Sequence, residues 1–224
     1  MRHPSQNGNV LFIILIGIVL FAGLMYAFTE SSQNSFSNLD REQAQIVATD
    51  ILNYGQKVES GVQRLLAKGC SELDISFENS LSTTDYTNVN SVPGEYNCHV
   101  FRPEGAGLTY IKPPQGANNS SEWVFNAGNK ISGIGDTDLL DFTLILREVN
   151  ENVCNAINLI SGVTSSLSDE IPRDGAWYNR TPFDGDFPAS INSIGMGSVT
   201  GATSVCFESQ NHGGYHFYHV LIAR

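Results

Sequence analysis

The sequence is short of basic residues and of the motifs that mark common catalytic sites. It has 12 Lys and Arg against 23 Asp and Glu, a net charge of −11, which excludes electrostatic attraction to nucleic acid or anionic lipid. It has no CxxC pair, which excludes a thioredoxin-type redox motif and a zinc knuckle. It also has no GxSxG, no HExxH and no phosphate-cradling glycine loop. These absences favour a protein that is not an enzyme and needs no cofactor.

A long apolar run near the N-terminus is the most prominent feature that is present. Residues 10–28 contain no charged side chain, and a helix of that length reaches the roughly 30 Å of a hydrocarbon core. Ala27 is the only small residue near its far end, and bulky Met25 two positions earlier makes a poor signal-peptidase site. We therefore expect a retained anchor, with a cleaved signal peptide as the alternative. Arg2 before the run predicts that everything after Phe28 lies outside the cytoplasm.

The four cysteines all follow the apolar run. An even number in an exported segment predicts two disulfides. Three pairings are open, and Cys70–Cys98 with Cys154–Cys206 is preferred because the first bond closes a short loop between neighbouring elements.

The period of the apolar residues changes along the rest of the chain. Residues 39–69 have a helical period that places Val47, Ile51, Tyr54, Val58, Val62 and Leu65 on one stripe. Beyond Cys70 the pattern predicts strands at 98–114, around 122–135 and at 139–149, and a short helix that carries Cys154. A final hairpin is predicted to join 204–208 to 215–223 through the turn Asn-His-Gly-Gly.

This order of elements resembles the type IV pilin and pseudopilin superfamily. The match is a short basic leader ending at Gly8, an apolar helix half at 9–28 and an amphipathic half at 39–66. The resemblance implies an α+β fold in which an N-terminal membrane-spanning helix continues into an amphipathic helix packed on a mostly antiparallel sheet. It implies a leader at 1–8, a transmembrane and assembly helix at 9–28, a polar linker at 29–38, an amphipathic helix at 39–69 and a disulfide-containing head at 70–224.

The resemblance also implies partners and a location. A prepilin peptidase would cut between Gly8 and Asn9, and the subunit would assemble with itself or with related subunits. The chain would be an inner-membrane single-pass protein with its C-terminal domain outside the cytoplasm, and then part of a surface filament. Typical pilins have Phe or Met first after the cut and Glu fifth, whereas this chain has Asn9 and Ile13. That departure puts a major-subunit role in doubt.

Several polar clusters invite other interpretations. His212, His216 and His219 suggest a metal site, but strand alternation points His216 and His219 to opposite faces. Two aspartate groups, Asp136, Asp138 and Asp141 and the pair Asp184 and Asp186, suggest calcium; neither has EF-hand spacing, and a plain turn is the simpler interpretation.

Three functions are therefore carried forward. The first is a non-enzymatic subunit of a type IV pilus-like or secretion pseudopilus filament. The second is a membrane-anchored periplasmic module that binds a protein or a glycan. The third is an exported hydrolase with a carboxylate pair such as Glu122 and Asp141.

Overall fold

One long helix and one six-stranded sheet form most of the regular structure in the computed structural model, which describes residues 8–92, 94–197 and 199–224. Helix α1 runs from Gly8 to Ala67, and a 3-10 turn follows at Glu72–Asp74. Then come β1 (Val124–Ile131), β2 (Asp141–Val149), α2 (Glu151–Ile160), β3 (Arg173–Asp174), β4 (Asn192–Ile194), β5 (Ser204–Ser209) and β6 (Tyr215–Ile222). The chain divides into two units, Met1–Glu42 and Gln43–Arg224.

The sheet is mixed, with the order β3-β5-β6-β2-β1-β4. Its three central pairings are antiparallel, whereas β4 pairs parallel with β1 and β3 pairs parallel with β5. The expectation of a mostly antiparallel, pilin-like sheet is therefore wrong. The two parallel strands have three and two residues, and both come from a loop-rich segment that runs along the two edges of the sheet.

The expectation of a membrane-spanning helix is also wrong. In the part of the chain that the structure describes, no helix has the length and apolar character that crossing a membrane requires. The predicted inner-membrane single-pass location depended on such a helix and is wrong for the same reason.

The amphipathic stripe is buried as its period predicts. Within the second unit, Val58, Val62 and Leu65 are fully buried and join a cluster with Phe125, Leu146, Phe217 and Leu221 of the sheet. Tyr54 stacks on Trp123 with ring centroids 5.0 Å apart. Burying such side chains contributes about 1.5–3 kcal/mol each, so this face of the sheet holds most of the apolar core.

Helix α2 is fixed to β5 by a covalent bond and by an amide. Cys154 of α2 is bonded to Cys206 of β5. One turn later, the Asn158 side chain donates to the carbonyl of Cys206 and accepts from its N–H, at 2.8 and 2.9 Å. The fully buried Asn158 thereby provides hydrogen-bond partners for its own amide and for the backbone N–H and C=O of Cys206 in β5.

The opposite face of the sheet is covered by a loop. Val124, Ile145, Val205, Phe207 and Tyr218 of the sheet cluster with side chains that include Tyr178 and Met196. Three asparagines hold this loop: Asn126 donates to Asn179 Oδ1 and to the carbonyl of Thr181, and Asn129 exchanges two hydrogen bonds with the backbone of Asn179. This face of the sheet is therefore covered by a loop that side-chain hydrogen bonds hold in place, and not by a packed helix.

Replacing Gly55 by Ala tests how closely α1 approaches the sheet. In an ordinary helix this change stabilises by about 1 kcal/mol. Here an added Cβ would lie 2.9 Å from Cγ of His219, so we expect a lower free energy of unfolding instead. Denaturant titration of the full-length variant measures it, with Gln56→Ala on the exposed side of the helix as control. A stabilised Gly55→Ala protein would contradict the close contact.

Candidate functional site

The first candidate site is the apolar segment, defined as residues 12–21 of α1. Nine of its ten residues are large and apolar, and each is 44–64 % exposed: Phe12, Ile13, Ile14, Leu15, Ile16, Ile18, Val19, Leu20 and Phe21. Consecutive helix positions point in all directions, because a turn has 3.6 residues. The segment is therefore apolar on every side, which is typical of a helix that is buried among several neighbours.

The predicted cleavage site lies at the start of this helix. Gly8 and Asn9 are its first two residues, and residues 1–7 of the predicted leader lie outside the described residues. The Gly8–Asn9 cleavage site stays a prediction.

The structure contains the two predicted disulfides, in the preferred pairing. Cys70 is bonded to Cys98 and Cys154 to Cys206. Two disulfides are consistent with an extracellular or periplasmic protein. They differ in burial: Cys154 and Cys206 are fully buried, whereas Cys70 and Cys98 are partly exposed.

The three clustered histidines separate as strand alternation predicts. His216 lies on the loop-covered face, with its ring 5.6 Å from that of Tyr178 and 6.4 Å from that of His212. His219 lies on the helix-covered face, where its Nε2 is 3.0 Å from Oε2 of Glu59 and its Nδ1 is 2.6 Å from Oγ of Ser204. In the described part of the chain, no three His, Cys, Asp or Glu side chains are grouped to hold a metal ion.

His219 is an ionisable link between α1 and the sheet that sequence reasoning missed. The Glu59 carboxylate can only accept, so Nε2 carries the proton and Nδ1 accepts from the Ser204 hydroxyl. Burial lowers the pKa of His219, although Glu59 opposes that shift. Gly55, four residues before Glu59 and directly beneath the ring, was the one sequence signal, since a glycine inside a helix often marks a close contact.

Three of the five aspartates proposed as calcium ligands, Asp138, Asp141 and Asp184, have structural partners. Asp138 pairs with Lys130, and the buried Asp141 accepts from the backbone N–H of Ile131 and of Arg224 at 2.8 and 2.9 Å. The Asp184 side chain accepts from the N–H of Asp186 at 3.3 Å. These bonds fit the interpretation of the two groups as turns and loop anchors.

Glu122 has a different environment from its suggested catalytic partner Asp141. Burial alone would raise the pKa of Glu122, but hydrogen bonds from Ser82 and Thr83 outweigh it and lower the pKa to about 2. Glu122 is thus ionised at neutral pH, and both oxygens of Asp141 are occupied by backbone N–H groups. Burial raises the pKa of Asp141, although the hydrogen bonds from Ile131 and Arg224 oppose that shift. Glu122 is therefore not protonated and the oxygens of Asp141 are not free, so neither carboxyl has the oxygen, both free and protonated, that a general acid needs.

Mild reduction of the native protein should open Cys70–Cys98 before Cys154–Cys206, because an attacking thiolate needs access to the sulfur. Alkylation at increasing reductant concentrations, followed by peptide mass spectrometry, measures the order. Reduction of both bonds together, or of Cys154–Cys206 first, would contradict this assignment of burial.

Stability should fall as the pH drops below the ordinary histidine pKa of 6.5. Below that pH, His219 is protonated in the unfolded chain, whereas its lower pKa keeps it neutral in the folded protein. Protons therefore bind preferentially to the unfolded chain, and lowering the pH favours unfolding. Burial lowers the pKa values of His99, His212 and His216 as well, which gives the same sign. Each proton contributes at most about 1.4 kcal/mol per pH unit.

Denaturant unfolding at pH 7.5, 6.5 and 5.5 measures this effect. His219→Gln keeps a polar side chain that does not titrate, so its stability should depend less on pH than that of the wild type. Equal slopes for the two proteins would remove His219 from the explanation.

Comparison with known proteins adds no relative: no family model, no curated protein and no solved structure matches this chain. The resemblance to pilins stays a prediction, and the function has to be argued from the residues themselves.

Proposed function

We propose that this chain is a structural subunit of a filament of the type IV pilus or pseudopilus kind, assembled with copies of itself or related subunits through the apolar segment. The observation that carries this proposal is the exposure of nine large apolar side chains on all sides of one helical segment. A soluble protein rarely exposes so large an apolar surface unless it binds something there.

The shape of the apolar segment favours several copies of the same chain as its partner. A single groove would cover one stripe of the helix, whereas this segment is apolar all round and needs neighbours on every side. Each copy of the chain supplies one such helix. Gly17 has no side chain, and no atom lies within 4 Å of the position that a Cβ would take. A neighbouring helix can therefore approach the backbone closely at this residue. Packing the helices together contributes on the order of 10 kcal/mol per subunit, if each side chain gains about 1 kcal/mol.

Two isoleucines of equal exposure allow a matched test of assembly. Ile18 in the apolar segment and Ile191 in the head are both 63 % exposed. Full-length protein is purified in mild detergent, the detergent is removed, and light scattering and negative-stain electron microscopy follow the product. Wild type and Ile191→Asp should form regular filaments. Ile18→Asp should not, because burying an unpaired carboxylate costs several kcal/mol.

Two outcomes would contradict the proposal. One is a wild-type chain that stays monomeric or forms only amorphous aggregate after detergent removal. The other is the same behaviour from Ile18→Asp and Ile191→Asp. Intact-mass analysis of the assembled protein then tests the processing step: a chain that begins at Asn9 supports it, and one that begins at Met1 opposes it.

A second candidate function, an exported hydrolase, is favoured by one observation. Ser204, His219 and Glu59 form a hydroxyl–imidazole–carboxylate chain, and Ser204 lines a groove of about 410 Å³ beside α1. A hydroxyl that donates to an oriented imidazole is the arrangement that activates a serine nucleophile. A fluorophosphonate probe separates the two functions: labelling of the wild type that Ser204→Ala abolishes supports the hydrolase, and no labelling opposes it.

A further inference from the structure

Three buried polar atoms without a partner lie on the loop-covered face of the sheet. They are Nε of Arg147, Oη of Tyr178 and Nδ1 of His216, and each lacks a hydrogen-bond partner among the described residues. Tyr178 and His216 are only 4 % and 1 % exposed. Buried polar groups nearly always find a partner, so an unpartnered one needs an explanation such as an ion or a ligand.

The strand register brings Arg147 beside His216. Leu146 pairs with Phe217 and Val149 with Tyr215, so the two residues Arg147 and Glu148 together oppose the single residue His216. This is a β-bulge, and Glu148 has the positive φ of 54°. Bulges re-aim side chains and are common beside binding sites. The flanking residues Leu146 and Phe217 belong to the helix-covered core, so His216 and the bulge face the opposite side.

The loop contributes a second arginine and an exposed aromatic ring. Trp177 is 61 % exposed and packs edge-on against His212, with ring centroids 4.7 Å apart. The His212 ring also lies 4.6 Å from that of Tyr178. Arg180 is two residues after Tyr178 in the same loop. The asparagine network around Asn179 holds this segment in place.

The unpartnered atoms have the chemistry of an anion site. Arg147 Nε–H and the Tyr178 hydroxyl are donors. The Nε2 of His216 donates to the carbonyl of Gly213 at 2.8 Å, so its Nδ1 holds a lone pair in the neutral ring and becomes a third donor on protonation. Neither Arg147 nor Arg180 forms an ion pair with any carboxylate in the described part of the chain, although acidic residues outnumber basic ones by 23 to 12.

The charges around this cluster determine its dependence on pH. Burial lowers the pKa of His216, and the hydrogen bond to the carbonyl of Gly213 opposes that shift. The neighbouring His212 and Arg180 lower the pKa further, and Glu148 raises it. Asp174 also acts on Tyr178, but its two oxygens already accept from the N–H groups of Ala176 and Gly195. His216 is therefore neutral at pH 7.5, and an anion that binds beside it draws a proton onto Nδ1.

We propose that Arg147, Tyr178 and His216 bind the carboxylate of an acidic saccharide, with Arg180 beside them and the Trp177 ring against the face of the sugar. Arginine suits this role because its planar N–H groups match a carboxylate. An exposed indole next to a polar site offers an apolar surface to a sugar ring. The site lies on the head and is separate in its residues from the apolar segment.

Titration calorimetry of the full-length protein with glucuronic acid tests the site. Binding should be detectable at pH 5.5 and weaker at pH 7.5, with the association constant changing by at most about tenfold per pH unit, the limit for uptake of one proton. Glucose, which has no carboxylate, should not bind. Circular dichroism at both pH values checks that the protein stays folded.

Four variants localise the binding. Arg147→Gln and Tyr178→Phe should each weaken glucuronic acid binding at least tenfold. Arg173→Gln should leave it unchanged, because Arg173 lies on the edge strand β3 and pairs with Glu208. Trp177→Ala, a surface change, keeps the test valid if the buried variants fail to fold, and should also weaken binding of the sugar.

Inorganic phosphate distinguishes a saccharide site from a general anion site. Phosphate that binds as tightly as glucuronic acid, together with no effect of Trp177→Ala, would overturn the assignment to a saccharide. Absence of binding by either probe at pH 5.5, or binding that Arg147→Gln and Tyr178→Phe leave unchanged, would overturn the site itself.

Discussion

The packing of residues 43–67 of α1 against one face of the sheet is the contact on which the head depends. The stripe from Val47 to Leu65 supplies one side of the main core, and the helix backbone comes so close that Gly55 has room for no side chain under His219. Specific polar contacts fix the register of this packing, among them the bond from Gln63 to the carbonyl of Leu221 at 3.0 Å. A helix that slid by one turn would lose this bond, the Glu59–His219 contact and the Tyr54–Trp123 stack together.

The two faces of the sheet are stabilised in different ways. On the helix-covered face, apolar area provides the stabilisation and one regular element provides the geometry. On the other face, hydrogen bonds of the asparagine side chains hold an irregular loop of residues 175–191. Loops positioned on a rigid scaffold are where binding residues are most often found, and here the loop contributes Trp177, Tyr178 and Arg180. Helix α1 therefore supports the fold, whereas the loop carries the side chains that are proposed to bind a ligand.

The features that the sequence predicted are those with local or periodic signals. The apolar stripe of α1, the short helix with Cys154, the final hairpin and the opposite directions of His216 and His219 all follow from a period of 3.6 or 2. The parallel edge strands β3 and β4 were missed because two or three residues carry no period, and their partners are distant in sequence. Residues 98–114 read as two strands, but the structure has turns there, with one isolated bridge between Ser76 and His99.

The sequence indicates that Trp177 and Tyr178 could stack on a sugar, but it gives no signal for the anion-binding atoms of the saccharide site. Arg147 and His216 lie on different strands, and only the pairing register of β2 with β6 brings them together on one face. An unbroken alternation would have predicted the face of Arg147 correctly but would have put Glu148 among the residues of the helix-covered core. The missing partner of a buried atom is likewise a property of the folded arrangement, since the same residue types satisfy one another elsewhere in the chain.

The short outer strands have a consequence for how the head meets other molecules. A sheet normally ends in a row of free N–H and C=O groups that a foreign strand can extend. Here one edge is a two-residue strand with the charged Arg173, and the other is a three-residue strand. Few backbone groups remain on either side to template an added strand. Heads can therefore be crowded side by side at high local concentration without fusing their sheets into one aggregate.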